Sequence, residues 1–197
     1  DETLSVQASF DLSYREQPPE GRRLYRLLSL HPGLDFTIEV ASAAARSSTP
    51  QTEKVMTSLV NASLLEDAGD DKYRFNDLIR IHAYECCERH VKESDRVAAL
   101  GRIIEWYLRT ARGADRVITP YRPLMEYVDR YGRTEPRTFD DRVAALRWLD
   151  DERSNLMAIA RSAHHNGMAE TAWHLCDALW SFFLYRRHYR DRLEIDG

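Results

Sequence analysis

The residues best suited to metal chemistry in this sequence are His82, Cys86 and His90, which recur at intervals of four in a stretch with helical spacing. Imidazole and thiolate groups are common zinc ligands, and this interval aligns them on one helix face. The outer two would lie about 12 Å apart along the helix axis at about 1.5 Å per residue, which is too far for one tetrahedral ion. The spacing therefore predicts no metal site.

Motifs that indicate catalysis are absent from the whole sequence. It contains no GxxxxGK[ST] phosphate-binding loop, no GxSxG nucleophile elbow and no HExxH zinc motif. Serine, histidine and aspartate occur, but nothing in their spacing indicates a catalytic triad. We therefore predict no catalytic residues, no enzyme activity and no cofactor for this chain taken alone.

A polar corner follows a short strand-like run. Tyr73 and Phe75 alternate with charged residues, as in a half-buried strand, and Asn76 and Asp77 come directly after them. The side-chain oxygens of Asn and Asp accept hydrogen bonds from the unpaired N–H groups of a helix's first turn. The pattern predicts a strand-to-helix corner whose helix is capped by this pair.

A basic strip lies on the long helix predicted from Ser94 to Val117. Its arginines lie mostly to one side of the apolar face: Arg102, Arg109, Arg112 and Arg116. The favoured interpretation is a solvated face, because charged side chains are mostly exposed to water. The alternative is a basic strip that binds a ligand.

The composition narrows the class of protein. At 197 residues and 43% apolar content, the chain can form two packed units of about 90 to 100 residues each. A net charge of -4 argues against a chain devoted to neutralising nucleic-acid phosphates. No apolar run approaches the roughly 20 residues of a membrane span, and the N-terminal stretch lacks the features of a signal peptide. We therefore predict no membrane partner and a cytoplasmic location with reduced cysteines.

The stretch 59–80 predicts a winged helix. Leu64 and Leu65 precede an acidic turn at residues 67–71, and the strand-like run follows it, so that a small β-hairpin wing lies between two helices. Upstream, three short helices are predicted. The first begins near Pro19, the second covers residues around 36–44, and the third begins at Thr49-Pro50 as its N-cap and first-turn pair. Residues 1–17 carry no clear helix start.

Direct DNA binding by this unit is the alternative function. The third helix would enter the major groove, and its expected exposed positions are Gln51, Thr52, Glu53, Lys54, Thr57, Ser58 and Asn61. One cation is offset there by one anion. The wing would present Asp67, Asp70 and Asp71 to phosphates that DNA-binding proteins meet with Lys or Arg. These charges favour a packing module.

The C-terminal part begins with an irregular connection over residues 119–137, where prolines and Gly132 interrupt helical spacing. Thr138, with Asp141 three residues on, then predicts a helix start. The apolar stripe that follows ends at Asn166-Gly167, a pair suited to left-handed C-cap geometry. A further helix from about Ala169 would complete a tetratricopeptide-like hairpin, which requires stacked neighbours to bury its faces.

Five stretches together resemble one protein family. In chain order they read LSLHPGLDFTIEVASAAA, LVNASLLED, YRFNDLIRIHA, WYLRTARGAD and ALRWLDDERSNLMAIARSA. The set closely resembles actinobacterial regulators of the AfsR type, the Streptomyces antibiotic regulatory proteins and their relatives. These are signal-transduction ATPases that carry an NB-ARC module followed by tetratricopeptide repeats. The resemblance covers nearly the whole chain.

The resemblance implies a mainly α fold with a division of the chain into four segments. They are a connecting segment from an upstream nucleotide-binding part at 1–17, a winged-helix domain with a small β-hairpin wing at 18–91, a helical connection at 92–137 and the start of the tetratricopeptide-like repeats at 138–197.

The resemblance also implies a role for the polar corner. In this family the corner usually reads FHDL, and its histidine contacts the β-phosphate of bound ADP, whereas here Asn76 replaces the histidine and Asp77 matches the motif. Asparagine can donate one amide hydrogen bond to a phosphate but cannot become cationic. Asn76 and Asp77 are therefore the expected nucleotide-proximal residues of the intact protein, and simple N-capping is the alternative for Asn76.

The function implied is that of a regulatory, interaction-type fragment of a transcriptional regulator of antibiotic biosynthesis. The winged helix would close over the ADP/ATP site of an upstream NB-ARC domain and link it to a helical-repeat sensor. The expected partners are that upstream domain, further tetratricopeptide repeats or a signal protein, and DNA through another domain. ADP or ATP is the expected cofactor of the parent protein, which would act as an ATPase switch.

Overall fold

The computed structural model describes residues 2–131 and 135–186. The chain divides between Ile103 and Ile104 into two compact units. The predictions that involve Asp1, Gly132 and residues 187–197 lie outside the described residues. The predicted domain boundaries stay predictions.

The first unit contains helices and a small sheet that follow one another closely. Its elements are α1 (Glu2–Glu16), α2 (Pro19–Leu28), β1 (Asp35–Thr37), α3 (Ile38–Ala45), α4 (Thr49–Asn61), β2 (Glu66–Gly69), β3 (Lys72–Arg74) and α5 (Asp77–His90). Helix α6 (Glu93–Ile118) begins in this unit and continues into the second. The second unit then adds α7 (Arg142–Asp151), α8 (Arg153–His165) and α9 (Ala169–Arg186).

Helix α2 is the centre of the first unit's core. Its residues Leu24, Tyr25 and Leu28 are at most 3% exposed, because apolar residues three and four apart lie on one helix face. That face packs against α3, α4 and α5. Met56 of α4 is fully buried in the same unit.

The wing is part of a three-stranded antiparallel sheet in the order β1-β3-β2. The predicted hairpin between residues 64 and 75 is present, and β1 adds a third strand where the sequence pattern predicts the start of a helix. Phe36 of β1 lies opposite Tyr73 and is 2% exposed. Its burial explains why a three-residue strand forms directly before α3. The predicted mainly α fold with a small β wing is confirmed.

Residues 2–16, predicted as a connecting segment, form helix α1. This helix packs against α5 through side chains that its weak periodicity did not reveal. Oδ1 of Asp11 lies within hydrogen-bonding distance of His82 Nε2, at 3.1 Å. The ring of the buried Tyr14 has its centre 5.5 Å from the centre of the Tyr25 ring. Specific tertiary contacts therefore hold α1 in place.

In the second unit, Asp141 rather than Thr138 caps the helix after the connection. Its Oδ1 accepts a hydrogen bond from Ala144 N at 2.8 Å, and α7 begins at the next residue. A turn at Glu152 divides the predicted long stripe into α7 and α8. Helices α8 and α9 pack against each other and are joined by a short loop. Gly167 in this loop has a φ of 73°, so the predicted left-handed geometry is confirmed. Their assignment to tetratricopeptide repeats stays a prediction.

The irregular connection after α6 is held by polar side chains from that helix. Glu105 is fully buried and accepts hydrogen bonds from the N–H groups of Arg130 and Tyr131. Further along, Trp106 Nε1 donates to the carbonyl of Glu135 at 3.1 Å. Because these groups satisfy backbone atoms that have no ladder partner, a segment without regular structure can pack against the helix.

Within residues 2–131 and 135–186, none of the helices combines the length and the apolar character that crossing a bilayer requires.

Candidate functional site

The polar corner predicted at Asn76 and Asp77 is present at the start of α5. Asn76 has extended backbone geometry (φ -63°, ψ 150°), and its Oδ1 accepts a hydrogen bond from Leu78 N at 3.0 Å. Asn76 is therefore the N-cap, and Asp77 occupies the first helical position. Both side chains are exposed. The sequence predicts that the pair shares the capping role, whereas the structure gives it to Asn76 alone.

Capping leaves the amide nitrogen of Asn76 available. Among the described residues, no acceptor engages its Nδ2, because only the oxygen faces the first turn. A helix N-terminus carries partial positive charge, which an anion nearby would stabilise. The corner can therefore offer one amide donor and a favourable helix dipole to a phosphate, while the Asp77 carboxylate opposes it.

An apolar surface continues from this corner along α5. Leu78, Ile81 and Tyr84 recur at intervals of three and are 51%, 55% and 45% exposed. Large apolar side chains at this spacing form one face of a helix. On the same helix, Arg80 donates hydrogen bonds to the carbonyls of His31 and Gly33, which fixes the loop beside it.

The first histidine and the cysteine of the candidate metal pattern instead form part of a buried packing network. His82 Nδ1 lies 2.8 Å from the hydroxyl of Tyr25, and Nε2 lies 3.7 Å from Cys86 Sγ. Burial raises the pKa of the Cys86 thiol, which disfavours the thiolate that metals and electrophiles require. No group of three potential metal ligands occurs in the described part of the chain.

The wing, which would contact DNA phosphates, has both of its cations paired. In the wing, Arg74 Nε bonds Glu66 Oε2 at 2.9 Å, and Lys72 Nζ bonds Asp35 Oδ1 at 3.0 Å. These carboxylates reduce the positive charge that phosphate binding requires.

Helix α4 corrects one expectation about that surface. Thr52, expected to be exposed, is 1% exposed, and its hydroxyl lies 2.6 Å from that of Ser47. Lys54 is the helix's one cation, beside Glu53. The face of α4 that would contact DNA is thus smaller than expected and nearly neutral.

The basic strip on α6 differs most from its predicted interpretation. Arg102 is 6% exposed and Arg112 is 8% exposed, so neither lies on a solvated face. In the first unit, Arg102 donates to the carbonyls of Ala43 and Ala44 at the end of α3. In the second unit, Arg112 lines a cavity together with Arg137. Sequence reasoning missed Arg137, because no periodic signal marks a residue of an irregular segment.

Comparisons with known proteins show that the chain is similar to regulatory proteins of the AfsR type. It is 37% identical over 183 residues to the regulatory protein AfsR of Streptomyces coelicolor, a match that covers 90% of this chain and 18% of the relative. Against the AfsR protein of Streptomyces griseus the identity is 37% over 172 residues, covering 86% of this chain and 17% of the relative.

The resemblance to AfsR-type regulators is thus confirmed. It spans less than a fifth of the length of these curated relatives. No protein-family model and no solved structure matches it.

Proposed function

We propose that this chain is the switch-and-sensor segment of a cytoplasmic transcriptional regulator. Its winged-helix unit closes over the ADP/ATP site of an upstream nucleotide-binding domain, and its second unit begins a helical-repeat sensor. The chain catalyses nothing by itself, and the parent protein contacts DNA through another domain. The corner at Asn76, whose oxygen caps α5 while its amide nitrogen remains available, is the observation that carries the proposal.

The two roles considered for Asn76 are compatible in this geometry. Capping uses Oδ1, and a phosphate would be contacted by Nδ2. A phosphate at this position would also benefit from the helix dipole. Replacement of the usual family histidine removes a group that can become cationic, so the contact here is a neutral hydrogen bond and is weaker.

The apolar face of α5 supports the same partner. Leu78, Ile81 and Tyr84 begin two residues after the corner and are all about half exposed. A domain that presents a phosphate to Asn76 would cover this face and remove its apolar surface from water. The proposed occupant is the nucleotide-binding domain of the same polypeptide, which fits a chain that spans only 18% of its relative.

The mechanism is a shift between two populations. With ADP bound, contact at the corner and burial of the α5 face favour the closed arrangement. Exchange for ATP weakens these contacts and frees the winged helix, and a signal bound to the repeats biases the balance. Each ligand shifts the equilibrium only by its difference in affinity for the two states.

Direct DNA binding by the winged helix is less well supported, since both wing cations have carboxylate partners. Titration with duplex DNA at two salt concentrations separates the alternatives. We expect weak binding at low salt. Submicromolar affinity that falls steeply with added salt would favour DNA binding by this unit instead.

The decisive experiment separates capping from phosphate contact in the full-length regulator. Asn76→Asp keeps a capping oxygen, removes the amide donor and adds a negative charge, so ADP dissociation should become about tenfold faster without loss of thermal stability. Asn76→Ala removes both functions, and we expect faster ADP release together with a stability loss of about 1 kcal/mol. Stopped-flow release of a fluorescent ADP analogue and thermal denaturation give the two readouts.

Asp141→Ala is the matched control, because it removes an exposed N-cap of the same kind from α7. It should lower stability by about 1 kcal/mol and leave ADP release unchanged. If ADP release is the same in wild type, Asn76→Asp and Asn76→Ala, the corner is only a cap and the proposal fails.

A further inference from the structure

A cavity of about 490 Å³ lies in the second unit, between α6 and the irregular connection that follows it. Arg109, Arg112 and Arg116 of α6 and Arg137 of the connection line it. The three helical arginines are spaced three and four apart, which places them on one face of α6. Four arginines along one cavity require an explanation, because like charges close together repel.

Arg112 is the least solvated of these cations. Its Nη2 donates to the carbonyl of Met125 at 2.6 Å, but its Nη1 is buried and has no hydrogen-bond acceptor among the described residues. An unpaired buried donor costs free energy, and a charged one costs more. Burial, followed by the positive charge of Arg116, lowers the pKa of Arg112. An anion in the cavity would offset the repulsion between Arg112 and Arg116.

The carboxylates of the unit do not neutralise the cavity. Asp129 lines it and pairs with Arg109 at 3.8 Å, so the described lining contains one acid and four bases. Asp115 and Asp177 are close enough to act on Arg112, but both bond Arg122. A positive excess therefore remains, and it suits a ligand with more than one negative charge.

The connection holds the fourth arginine at the cavity through its backbone. Arg137 N donates to Thr110 Oγ1 at 3.2 Å, which ties this residue to α6. Tyr127, also in the lining, is fixed by its hydroxyl, which donates to Glu105 Oε1 at 2.8 Å. These two hydrogen bonds fix Arg137 and Tyr127 beside α6 without using the guanidinium of Arg137.

The rest of the lining is mostly apolar or aromatic, with Thr138 as its one hydroxyl-bearing aliphatic residue among those described. Val117, Pro136 and Phe139 contribute to the wall. The volume falls within the range of about 300–1,000 Å³ that is typical of small-molecule pockets, and it exceeds what one phosphate group fills. The lining therefore combines a charged part with room for an apolar one.

We propose that this cavity binds a small organic phosphomonoester, with its phosphate on Arg112 and Arg116 and a flat apolar group against Phe139. Arginine binds phosphate oxygens with two parallel hydrogen bonds, and a phosphomonoester carries close to two negative charges at neutral pH. The inference stands on the cavity's own geometry and does not depend on the nucleotide contact proposed for Asn76.

Calorimetric titration of the whole chain with phenyl phosphate tests the assignment, with inorganic phosphate and phenol as partial ligands. We expect saturable binding of phenyl phosphate, weaker binding of phosphate and none of phenol. Arg112→Gln and Arg116→Gln should each lower the affinity about tenfold or more, because each removes a charge-assisted contact. Arg116 is exposed, so its replacement should leave the fold intact, and its variant stays informative if Arg112→Gln fails to fold.

Arg147→Gln is the matched control, since it removes the same charge from an exposed position of α7 outside the cavity. Its affinity should stay within about twofold of wild type. No saturation at millimolar phenyl phosphate, or equal losses in Arg116→Gln and Arg147→Gln, would overturn the site. Equal affinity for phosphate and phenyl phosphate would overturn the organic part of the assignment.

Discussion

Two arginines of α6, Arg102 in the first unit and Arg112 in the second, are nearly equally buried but differ in what they contact. The guanidinium of Arg102 donates to the carbonyls of Ala43 and Ala44 in the last turn of α3, where Arg46 N also donates to Ala43. That of Arg112 makes one such bond and keeps Nη1 unpaired beside a cavity. Burial alone therefore does not distinguish a structural cation from a ligand-binding one.

The two arginines differ in whether all of their buried donors have hydrogen-bond acceptors. Arg102 donates to carbonyls in the last turn of α3, and Arg23 Nη1 donates to the next carbonyl, that of Ala45, at 2.8 Å. Burial, with the nearby charges of Arg46 and Arg23, lowers the pKa of Arg102 to about 10, so it stays protonated at neutral pH. Nothing further is needed there. A buried donor without a partner, as in Arg112, indicates a group that a ligand would complete.

The largest expected loss of stability comes from replacing Arg122, a third arginine, which has carboxylate partners within the chain. It bonds Asp115 and Asp177, and its guanidinium lies 5.0 Å from the centre of the Trp180 ring. Arg122→Met leaves two largely buried carboxylates without a cation, so we expect a loss of about 4 kcal/mol in the second unit's free energy of unfolding. Urea denaturation followed by tryptophan fluorescence measures it.

Arg122→Lys is the control. Lysine keeps the positive charge, but its ammonium group lacks the planar guanidinium that bonds both carboxylates. This variant should recover about half of the loss. A loss below about 1 kcal/mol for Arg122→Met would mean that completed pairing is not what makes these arginines structural.

A smaller effect is expected from Arg102→Met in the first unit. The methionine fills much of the space but leaves the carbonyl of Ala44 without its donor and that of Ala43 with Arg46 N alone, so stability should fall by about 2–3 kcal/mol. Hydrogen exchange should also show faster opening of α3 than of α2. Unchanged exchange in α3, with the same global loss, would mean that Arg102 contributes by packing rather than by capping.

The corner and the wing illustrate how far sequence reasoning reaches. The strand-to-helix corner at Asn76 was predictable because strand alternation and capping chemistry are local. The third strand at Phe36 was not, because a three-residue strand carries too little alternation and forms only through its pairing with Tyr73. The helix at residues 2–16 was missed for a related reason, since its order comes from packing against α5.

The cavity shows what sequence reasoning does not reach, which is the packing of an irregular segment against a helix. Helical spacing predicts that Arg109, Arg112 and Arg116 form a strip and favours a solvated face for it, because no rule of helical spacing reports what packs against a helix. The connection that packs beside α6 has no periodic signal, and it brings Arg137 to the site by a single backbone hydrogen bond. Arg116 is exposed, as a solvated face requires, whereas the tertiary packing of this irregular segment buries Arg112.

The smallest effect on folding is expected at Arg112, and it sharpens the comparison most. Arg112→Met loses one hydrogen bond to Met125 but also removes a buried charge with an unpaired donor, so the two contributions oppose each other. We expect the free energy of unfolding to change by less than about 1 kcal/mol in either direction, against about 2–3 kcal/mol for Arg102→Met. Parallel urea denaturation of both variants without added ligand measures this difference. A loss at Arg112 as large as that at Arg102 would show that its interactions within the chain already suffice, and the distinction between a completed arginine and an open one would no longer hold.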